Sequence, residues 1–172
     1  MNKTDLKLYA ITDRQWLHGA RLSEHVKLAI EGGATMIQIR DKDILSTDSD
    51  AGLKDEYNEA LEIKRICHEH KVPLIINDNV QFAIDIDADG VHLGQDDMNP
   101  AEARKLLGTD KIIGVTAKTV EQALRAQAQG ADYLGSGAVF GTTTKADARP
   151  MTMETLREIC DSVDIPVVAI GG

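Results

Sequence analysis

The chain has 172 residues, of which 42% are hydrophobic and 27% charged, the composition of an ordinary globular domain. A formal net charge of −9 and an aromatic content of only 3% argue against a nucleic-acid partner, which needs a basic surface. No segment approaches the roughly 18 apolar residues of a membrane span, and the N-terminus lacks the apolar core of a signal peptide. We therefore expect a cytoplasmic protein with no membrane partner.

Short apolar runs alternate with helical patterns along the chain. The predicted strands are residues 7–12, 36–40, 73–78, 90–94, 112–116, 133–137 and 166–171. The predicted helices are residues 22–33, 53–70, 80–85, 100–108, 119–130 and 152–163. In the helix at 119–130, Thr119 is the predicted N-cap and Gly130 the predicted residue after the C-terminus.

A weak internal repeat favours a parallel sheet. The segments GGATMIQIR, DADGVHLG and QGADYLGSG each lead from a helix end into a strand. Strands that alternate with helices predict βαβ units, and we expect a single (β/α)8 TIM-barrel domain over residues 1–172. Because only seven strands are found, the expected barrel is truncated after strand 7 and lacks helix 7, strand 8 and helix 8. A dinucleotide-binding sheet is disfavoured, since no GxGxxG follows the first strand.

The second predicted strand carries polar residues in an apolar run. Side chains alternate along a strand, so Gln38, Arg40 and Lys42 share one face and Ile37 and Ile39 the other. Helices cover the outer face of a barrel, so the polar set should point inward, toward the carboxyl ends of the strands. Buried cations need anionic partners, which predicts a phosphate or diphosphate ligand. The alternative is an exposed edge strand with a solvated face.

Acidic residues follow the next two predicted strands. Asp78 comes directly after Asn77 at the end of the third strand, and Asp96 and Asp97 lie in the loop after the fourth strand. Two carboxylates and substrate phosphate oxygens are a usual way of holding Mg²⁺. The alternative is that these aspartates cap the helices at 80–85 and 100–108.

Two further loops have the composition of phosphate sites. GTTTKADARP follows the sixth strand and offers hydroxyls, backbone N–H groups and Lys145. AIGG follows the seventh strand, where barrels often bind phosphate. His92 is expected to be structural rather than catalytic, and Cys67 and Cys160 to be buried thiols without a disulfide or metal.

Together, QIRDK, INDN, ADGVHLGQDD, IIGVTAKT, GADYLGSGAVFGTTTK and PVVAIGG resemble, in order and spacing, the thiamine phosphate synthase family. The resemblance implies a transferase that joins 4-amino-2-methyl-5-hydroxymethylpyrimidine diphosphate to a thiazole phosphate, carboxylated or not. The products are thiamine phosphate and pyrophosphate. It further implies Mg²⁺ as cofactor and a dissociative reaction, in which pyrophosphate leaves before the thiazole nitrogen captures a pyrimidine methyl cation.

The resemblance also assigns roles to individual residues. Asp78 and Asp97 match the magnesium ligands. The residues that match catalytic positions are Arg40, Lys42, Lys145 and Thr116. At the position of Thr116 the family usually has Ser. The residues that match substrate-binding positions are Gln38, Ile39, Arg40, Asp41, Lys42, Asn77, Thr116, Thr142, Thr143, Thr144, Lys145, Gly171 and Gly172.

Other functions stay open on the sequence. A thiazole tautomerase shares the barrel but has no need of a Mg²⁺-held diphosphate. The synthase is favoured by the joint presence of Arg40, Lys42, Asp78, Asp97 and Lys145. A sugar-phosphate isomerase or epimerase needs an acid–base pair that we do not find. A non-catalytic protein that binds thiamine precursors would show binding without turnover. Self-association into a homo-oligomer leaves no signal and stays open.

Overall fold

The computed structural model describes residues 1–40, 50–140 and 151–171. Within these residues, seven strands form one sheet in chain order: β1 (Tyr9–Ile11), β2 (Met36–Ile39), β3 (Leu74–Asn77), β4 (Gly90–Leu93), β5 (Ile112–Thr116), β6 (Tyr133–Gly137) and β7 (Val167–Ile170). The helices are α1 (Leu22–Glu31), α2 (Asp50–His70), α3 (Val80–Asp85), α4 (Pro100–Leu107), α5 (Val120–Ala128) and α6 (Met153–Ser162). Pairings β1–β2, β2–β3, β5–β6 and β6–β7 are parallel, as βαβ units require.

Every predicted strand and helix is present, so the predicted β/α alternation is confirmed. Thr119 Oγ1 accepts a hydrogen bond from the Gln122 amide at 3.2 Å, as expected of an N-cap. Gly130 follows α5 with φ +89°, which confirms its place after the C-terminus. Two 3₁₀ turns, Lys3–Leu6 and Arg14–Trp16, are additions to the prediction, since turns this short carry no apolar period.

The chain divides into two compact units, residues 1–91 and 92–172. In the first unit, α1 packs on α2. Val26 and Ile30 are four residues apart on α1 and are buried, as are Ile63 and Cys67 on α2. Four-residue spacing places each pair on one face of its helix, so these faces supply the apolar contact.

In the second unit, α5 packs on α6. The small buried residues Ala123 and Ala126 and the buried Ile159 supply apolar surface on these helices. Strand β5 adds the buried side chain of Ile113. Across the described residues, no helix is both long and apolar enough to cross a membrane.

The N-terminus of α1 is held by a residue of α2. Arg21, at the N-cap position, makes no capping hydrogen bond with its side chain, whereas Glu59 Oε1 accepts one from the Leu22 amide at 2.9 Å. Arg14 and Arg21 lie 3.1 and 3.8 Å from the buried Glu59 carboxylate. The cations and the amide compensate for burying the charge, and Glu59 satisfies an amide that α1 itself leaves unpaired.

The internal repeat has a structural meaning in the first unit. Thr35 and Asp89 occupy equivalent positions, directly before β2 and β4. Leu8, just before β1, donates its amide to Thr35 Oγ1 at 2.9 Å, and Leu74 of β3 donates its amide to Asp89 Oδ2 at 2.8 Å. In return, the Thr35 and Asp89 amides donate to the Leu8 and Leu74 carbonyls.

The same arrangement recurs in the second unit with Asp132, directly before β6. Its Oδ2 accepts from the Ile113 amide at 2.8 Å, and its own amide donates to the Ile113 carbonyl at 2.7 Å. Arg104 Nη2 adds a charge-assisted bond to the same carboxylate at 2.7 Å. The repeat therefore encodes side-chain clamps that set the register at the strand starts.

The two cysteines differ in environment. Cys67 is buried, as predicted, but Cys160 is exposed, so the prediction of two buried thiols is wrong for Cys160. The helical pattern around Cys160 predicts a helix but does not show which side of the helix faces solvent. Cys160 lies on the outward side of α6. Burial, with a smaller contribution from the negative charge of Asp89, raises the pKa of Cys67 to about 12.

We predict that Glu59→Ala lowers the free energy of unfolding by about 1–3 kcal/mol, because the Leu22 amide loses its partner in a buried site. Glu59→Gln keeps an acceptor oxygen and should cost less. Urea denaturation would measure both. The control is Glu62→Ala, which removes only a partly exposed ion pair with Arg21 and should cost at most about 1 kcal/mol. Equal costs for Glu59→Ala and Glu62→Ala would refute the capping role.

We also predict that iodoacetamide at about pH 8 alkylates Cys160 quickly and Cys67 only after unfolding, because the thiolate is the reactive form and burial disfavours it. The pKa of Cys67 is higher in the folded protein than its ordinary value of 9.0 in the unfolded chain. The contribution of Cys67 to stability is therefore complete below pH 9.0 and is lost as the pH rises toward about 12. Peptide mass spectrometry would locate the label. Equal labelling rates in the folded protein would contradict the assignment.

Candidate active site

The residues predicted to carry function lie at or just after the carboxyl ends of the strands, where parallel β/α folds place their sites. The structure describes Gln38, Ile39, Arg40, Asn77, Asp78, Asp97, Thr116 and Gly171. The remaining predicted residues, Asp41, Lys42, Thr142, Thr143, Thr144, Lys145 and Gly172, lie outside the described residues. Their roles stay predictions.

The polar face of β2 is built into the sheet. Strand β2 pairs with β1 on one side and β3 on the other, so the alternative of an exposed edge strand is wrong. Gln38 is 2% exposed, and its Nε2 donates to Tyr9 Oη at 2.6 Å. The Arg40 amide donates to Thr12 Oγ1 at 3.0 Å. Ile39 is buried on the opposite face, which leaves its main chain for any ligand contact.

Asp78 occupies a tight turn after β3. Its φ of +62° lies in the left-handed region, which few non-glycine residues adopt and which often marks functional sites. The N-cap of α3 is Asn79, whose Oδ1 accepts from the Phe82 amide at 2.9 Å, so the alternative that Asp78 caps this helix is wrong. The turn leaves Asp78 exposed, directly after the half-buried Asn77.

Asp97 lies in the loop between β4 and α4. The N-cap of α4 is Asn99, whose Oδ1 accepts from the Ala101 amide at 2.9 Å, so neither Asp96 nor Asp97 has the capping role. Asp97 Oδ2 instead accepts from the Gly94 amide at 2.6 Å. This bond folds the loop back on itself and fixes the exposed Asp97 carboxylate at the end of β4.

Thr116, the last residue of β5, is held at two of its atoms. His92 Nε2 lies 3.0 Å from Thr116 Oγ1, and His92 Nδ1 lies 3.0 Å from Tyr133 Oη. Gln95 Nε2 donates to the Thr116 carbonyl at 2.5 Å, and Arg125 donates to Gln95 Oε1 at 2.8 Å. The position of Thr116 is therefore determined by side chains from β4, β6, α5 and the loop after β4.

Two glycines make the room that this chain of side chains occupies. A Cβ on Gly114 of β5 would overlap the Tyr133 ring, and a Cβ on Gly135 of β6 would lie 2.9 Å from His92 Cε1. The two rings lie side by side, with centroids 5.6 Å apart. Ordinary carbon contacts need about 3.5–4.0 Å, so the rings fit only because both positions lack a side chain.

Gly171, directly after β7, is also required by geometry. Its φ of +86° favours glycine, and a Cβ there would overlap the Cβ of Ala138. The main chain after β7 consequently runs close against the end of β6. Close main-chain approach is what a phosphate site needs, and Gly171 stays a predicted ligand-binding residue.

Beside Asp97 lies a cleft of about 250 Å³. It is lined by Gly94, Gln95, Asp97, Met98, Asn99, Pro100, Val115, Gln122, Arg125, Ala126 and Gln129. Among the described residues, no cluster of three or more His, Cys, Asp or Glu side chains forms a ready metal site. A magnesium ion here would need substrate oxygens to complete its coordination, as Mg²⁺ sites with phosphorylated substrates commonly do.

Sequence reasoning missed Gln95, Tyr133 and Arg125 as members of this arrangement. Gln95 directly precedes the predicted acidic pair, and Tyr133 puts a phenol hydroxyl at the start of a buried strand, so both carried a local signal. Arg125 carried none, because an arginine on a helix surface is common. His92 bonds to a predicted site residue, and its expected structural role stays a prediction.

Comparison with known proteins gives a consistent result along the chain. The sequence profile of a family described as thiamine monophosphate synthase matches residues 8–172. The thiamine-phosphate synthase of Clostridium acetobutylicum is 48% identical over 172 residues, which is 100% of this chain and 78% of that protein. The enzyme of the same name from Caldanaerobacter subterraneus subsp. tengcongensis is 45% identical over 100% of this chain and 77% of its own length.

Solved structures agree. Thiamine phosphate pyrophosphorylase from Pyrococcus furiosus superposes with a TM-score of 0.82 at 41% identity, covering 98% of this chain and 76% of that one. FabK from Thermotoga maritima superposes with a TM-score of 0.61 at 17% identity, over 96% of this chain and 52% of its own, a likeness of fold alone. The first superposition bears out the expected TIM-barrel-like fold class.

Proposed function

The chain belongs to the thiamine monophosphate synthase family, and we propose that it joins a hydroxymethylpyrimidine diphosphate to a thiazole phosphate. The products are thiamine phosphate and pyrophosphate, which makes the protein a transferase of thiamine biosynthesis. The observation that carries the proposal is the 48% identity to a thiamine-phosphate synthase over the whole of this chain. The substrates are small phosphorylated molecules. The acidic, aromatic-poor composition argues against nucleic acid but does not exclude a local basic site for such a substrate.

The proposed reaction needs no nucleophilic side chain. The bond between the pyrimidine methylene carbon and the diphosphate oxygen breaks, and its electron pair leaves with pyrophosphate. The thiazole nitrogen then gives its lone pair to the methylene carbon, forming the new C–N bond. The protein's contribution is to position both substrates and to stabilise charge that develops on the leaving group.

Arg40, directly after β2, is the described cation that we propose for that task. Its main-chain amide donates to Thr12 Oγ1, and it directly follows Ile39, the last residue of β2. A guanidinium can bind two diphosphate oxygens at once, so it both orients the leaving group and offsets its charge. We propose Lys42 and Lys145 as further cations at the diphosphate.

Asp78 and Asp97 are the proposed magnesium ligands. Neither caps a helix, both are exposed at the end of a strand, and both present the hard oxygen donors that Mg²⁺ prefers. Their pairing rests on the family resemblance. When bound, Mg²⁺ would neutralise negative charge on the diphosphate and so make it a better leaving group.

Gln38 and Thr116 are proposed to bind the pyrimidine diphosphate. The Gln38 carboxamide is oriented by its bond to Tyr9, and a buried oriented amide is a specific hydrogen-bonding group. Thr116 brings a half-buried hydroxyl at the end of β5. Asn77, half-buried at the end of β3, is proposed as a further polar contact.

We predict that the protein, given both substrates and Mg²⁺, forms thiamine phosphate and pyrophosphate. Mass spectrometry of the reaction would identify the products. Excess EDTA should abolish turnover, and added Mg²⁺ should restore it. Binding of the pyrimidine diphosphate without any product would support a precursor-binding protein instead, and an unchanged yield in EDTA would refute the metal requirement.

We predict that Asp97→Asn lowers kcat at least about tenfold and raises the Mg²⁺ concentration needed for half-maximal rate, since a ligand charge is lost. Asparagine keeps an oxygen that can accept from the Gly94 amide, so the loop should stay folded. The matched control is Asp96→Asn, which removes the same charge from the same loop. If the two variants responded equally to Mg²⁺, Asp97 would not be a ligand.

A further inference from the structure

We propose that His92 and Tyr133 are positioning residues that fix the hydrogen-bond polarity of the Thr116 hydroxyl, so that Thr116 donates its proton to an acceptor atom of the pyrimidine diphosphate. The inference rests on the proposed function, because it assigns the ligand of Thr116. It adds a role for two residues that do not themselves touch substrate. The three side chains form a continuous chain, Tyr133–His92–Thr116, with both links at 3.0 Å.

The arrangement is built rather than incidental. Gly114 and Gly135 leave the space for the two rings, and a side chain at either position would displace one of them. Tyr133 is fully buried and Thr116 half-buried, so the chain runs from the core of the second unit to the end of β5. Bonds at both ring nitrogens prevent the imidazole from turning freely, and the Thr116 carbonyl is fixed separately by Gln95.

A neutral imidazole carries one hydrogen, so one ring nitrogen donates and the other accepts. A phenol is more acidic than an aliphatic alcohol and is the stronger donor to an imidazole nitrogen. Tyr133 Oη–H therefore donates to His92 Nδ1, and the ring hydrogen lies on Nε2. Nε2–H then donates to Thr116 Oγ1, which leaves the threonine hydroxyl hydrogen free to point at a ligand.

The consequence is selectivity for an acceptor at that point of the ligand. Ring nitrogens of the pyrimidine and oxygens of its diphosphate are acceptors, whereas its exocyclic amino group is a donor. With the opposite ring tautomer, Thr116 would donate to His92 and would have only lone pairs to offer the ligand. The tautomer of a histidine on β4 thus decides which atom a threonine on β5 can bind.

The first test measures the tautomer directly. In protein labelled with ¹⁵N at histidine, the His92 ring signals are identified by their loss in His92→Gln. We expect an unprotonated Nδ1 and a protonated Nε2 in the wild type. Tyr133→Phe removes one oxygen and should weaken this preference, shifting both ring signals. A wild-type ring protonated at Nδ1, or unchanged shifts in Tyr133→Phe, would overturn the proposal, whatever the protein's activity.

The second test separates positioning from stability by kinetics with each substrate varied in turn. His92→Asn keeps an amide near the Nδ1 position but cannot reach Thr116, and we expect it to raise KM for the pyrimidine diphosphate about tenfold. KM for the thiazole phosphate should change less than about twofold. His92→Gln places an amide near the Nε2 position and should recover part of the loss. His68→Asn, on the exposed side of α2, is the matched control.

A double-mutant cycle completes the argument. If His92 acts through Thr116, then His92→Asn should have little further effect on KM in a Thr116→Val background. Equal effects in both backgrounds, or a fall in melting temperature and kcat with no change in KM, would mean a purely structural role. Wild-type protein that neither turns over nor binds the pyrimidine diphosphate would refute the proposed function itself. Active wild-type protein with unchanged KM in His92→Asn would refute only the positioning role.

Discussion

A polar side chain buried on a parallel strand has no access to water, so its hydrogen bonds must come from its neighbours in the sheet. Much of the arrangement seen here depends on that constraint. Gln38 meets it with the Tyr9 hydroxyl, and the half-buried His92 is bonded at both ring nitrogens, to Tyr133 and Thr116. Leaving such a group unpaired costs on the order of 1–3 kcal/mol, so the partners are as necessary as the polar residues themselves. Gln38 and His92 are thereby oriented before any ligand arrives.

At the opposite ends of the strands, exposed or half-buried side chains instead accept hydrogen bonds from backbone amides. Thr35, Asp89 and Asp132 each accept a hydrogen bond from a backbone amide at or next to the start of the preceding strand. These bonds fix register, and register determines which residues reach the carboxyl ends. A slip of one residue would exchange the two faces of a strand, placing Ile39 where Arg40 belongs. The clamps thus secure the site from a distance without contributing a residue to it.

The fold followed from the sequence because strand and helix periods, caps and breakers are local signals, and Thr119 and Gly130 behaved as their types predict. The site followed in part. A polar pattern in an apolar run predicted Gln38 and Arg40 as site residues. The sequence did not show whether Asp78 and Asp97 cap helices, and in the structure Asn79 and Asn99 hold the N-cap positions instead. Bonds between distant residues had no sequence signal that could be read. Glu59 capping α1 and Gln95 holding the Thr116 carbonyl depend on packing, which a single sequence does not display.

The glycine at position 114 also constrains how this protein can change over time. The Tyr133 ring fills the volume that a side chain at position 114 would need, so large side chains cannot occupy both positions at once. A larger residue at 114 is accommodated only after the residue at 133 has become smaller, and the reverse order passes through an overpacked intermediate. Routes to a new substrate pocket in this part of the chain are consequently directional: the aromatic ring must be given up first.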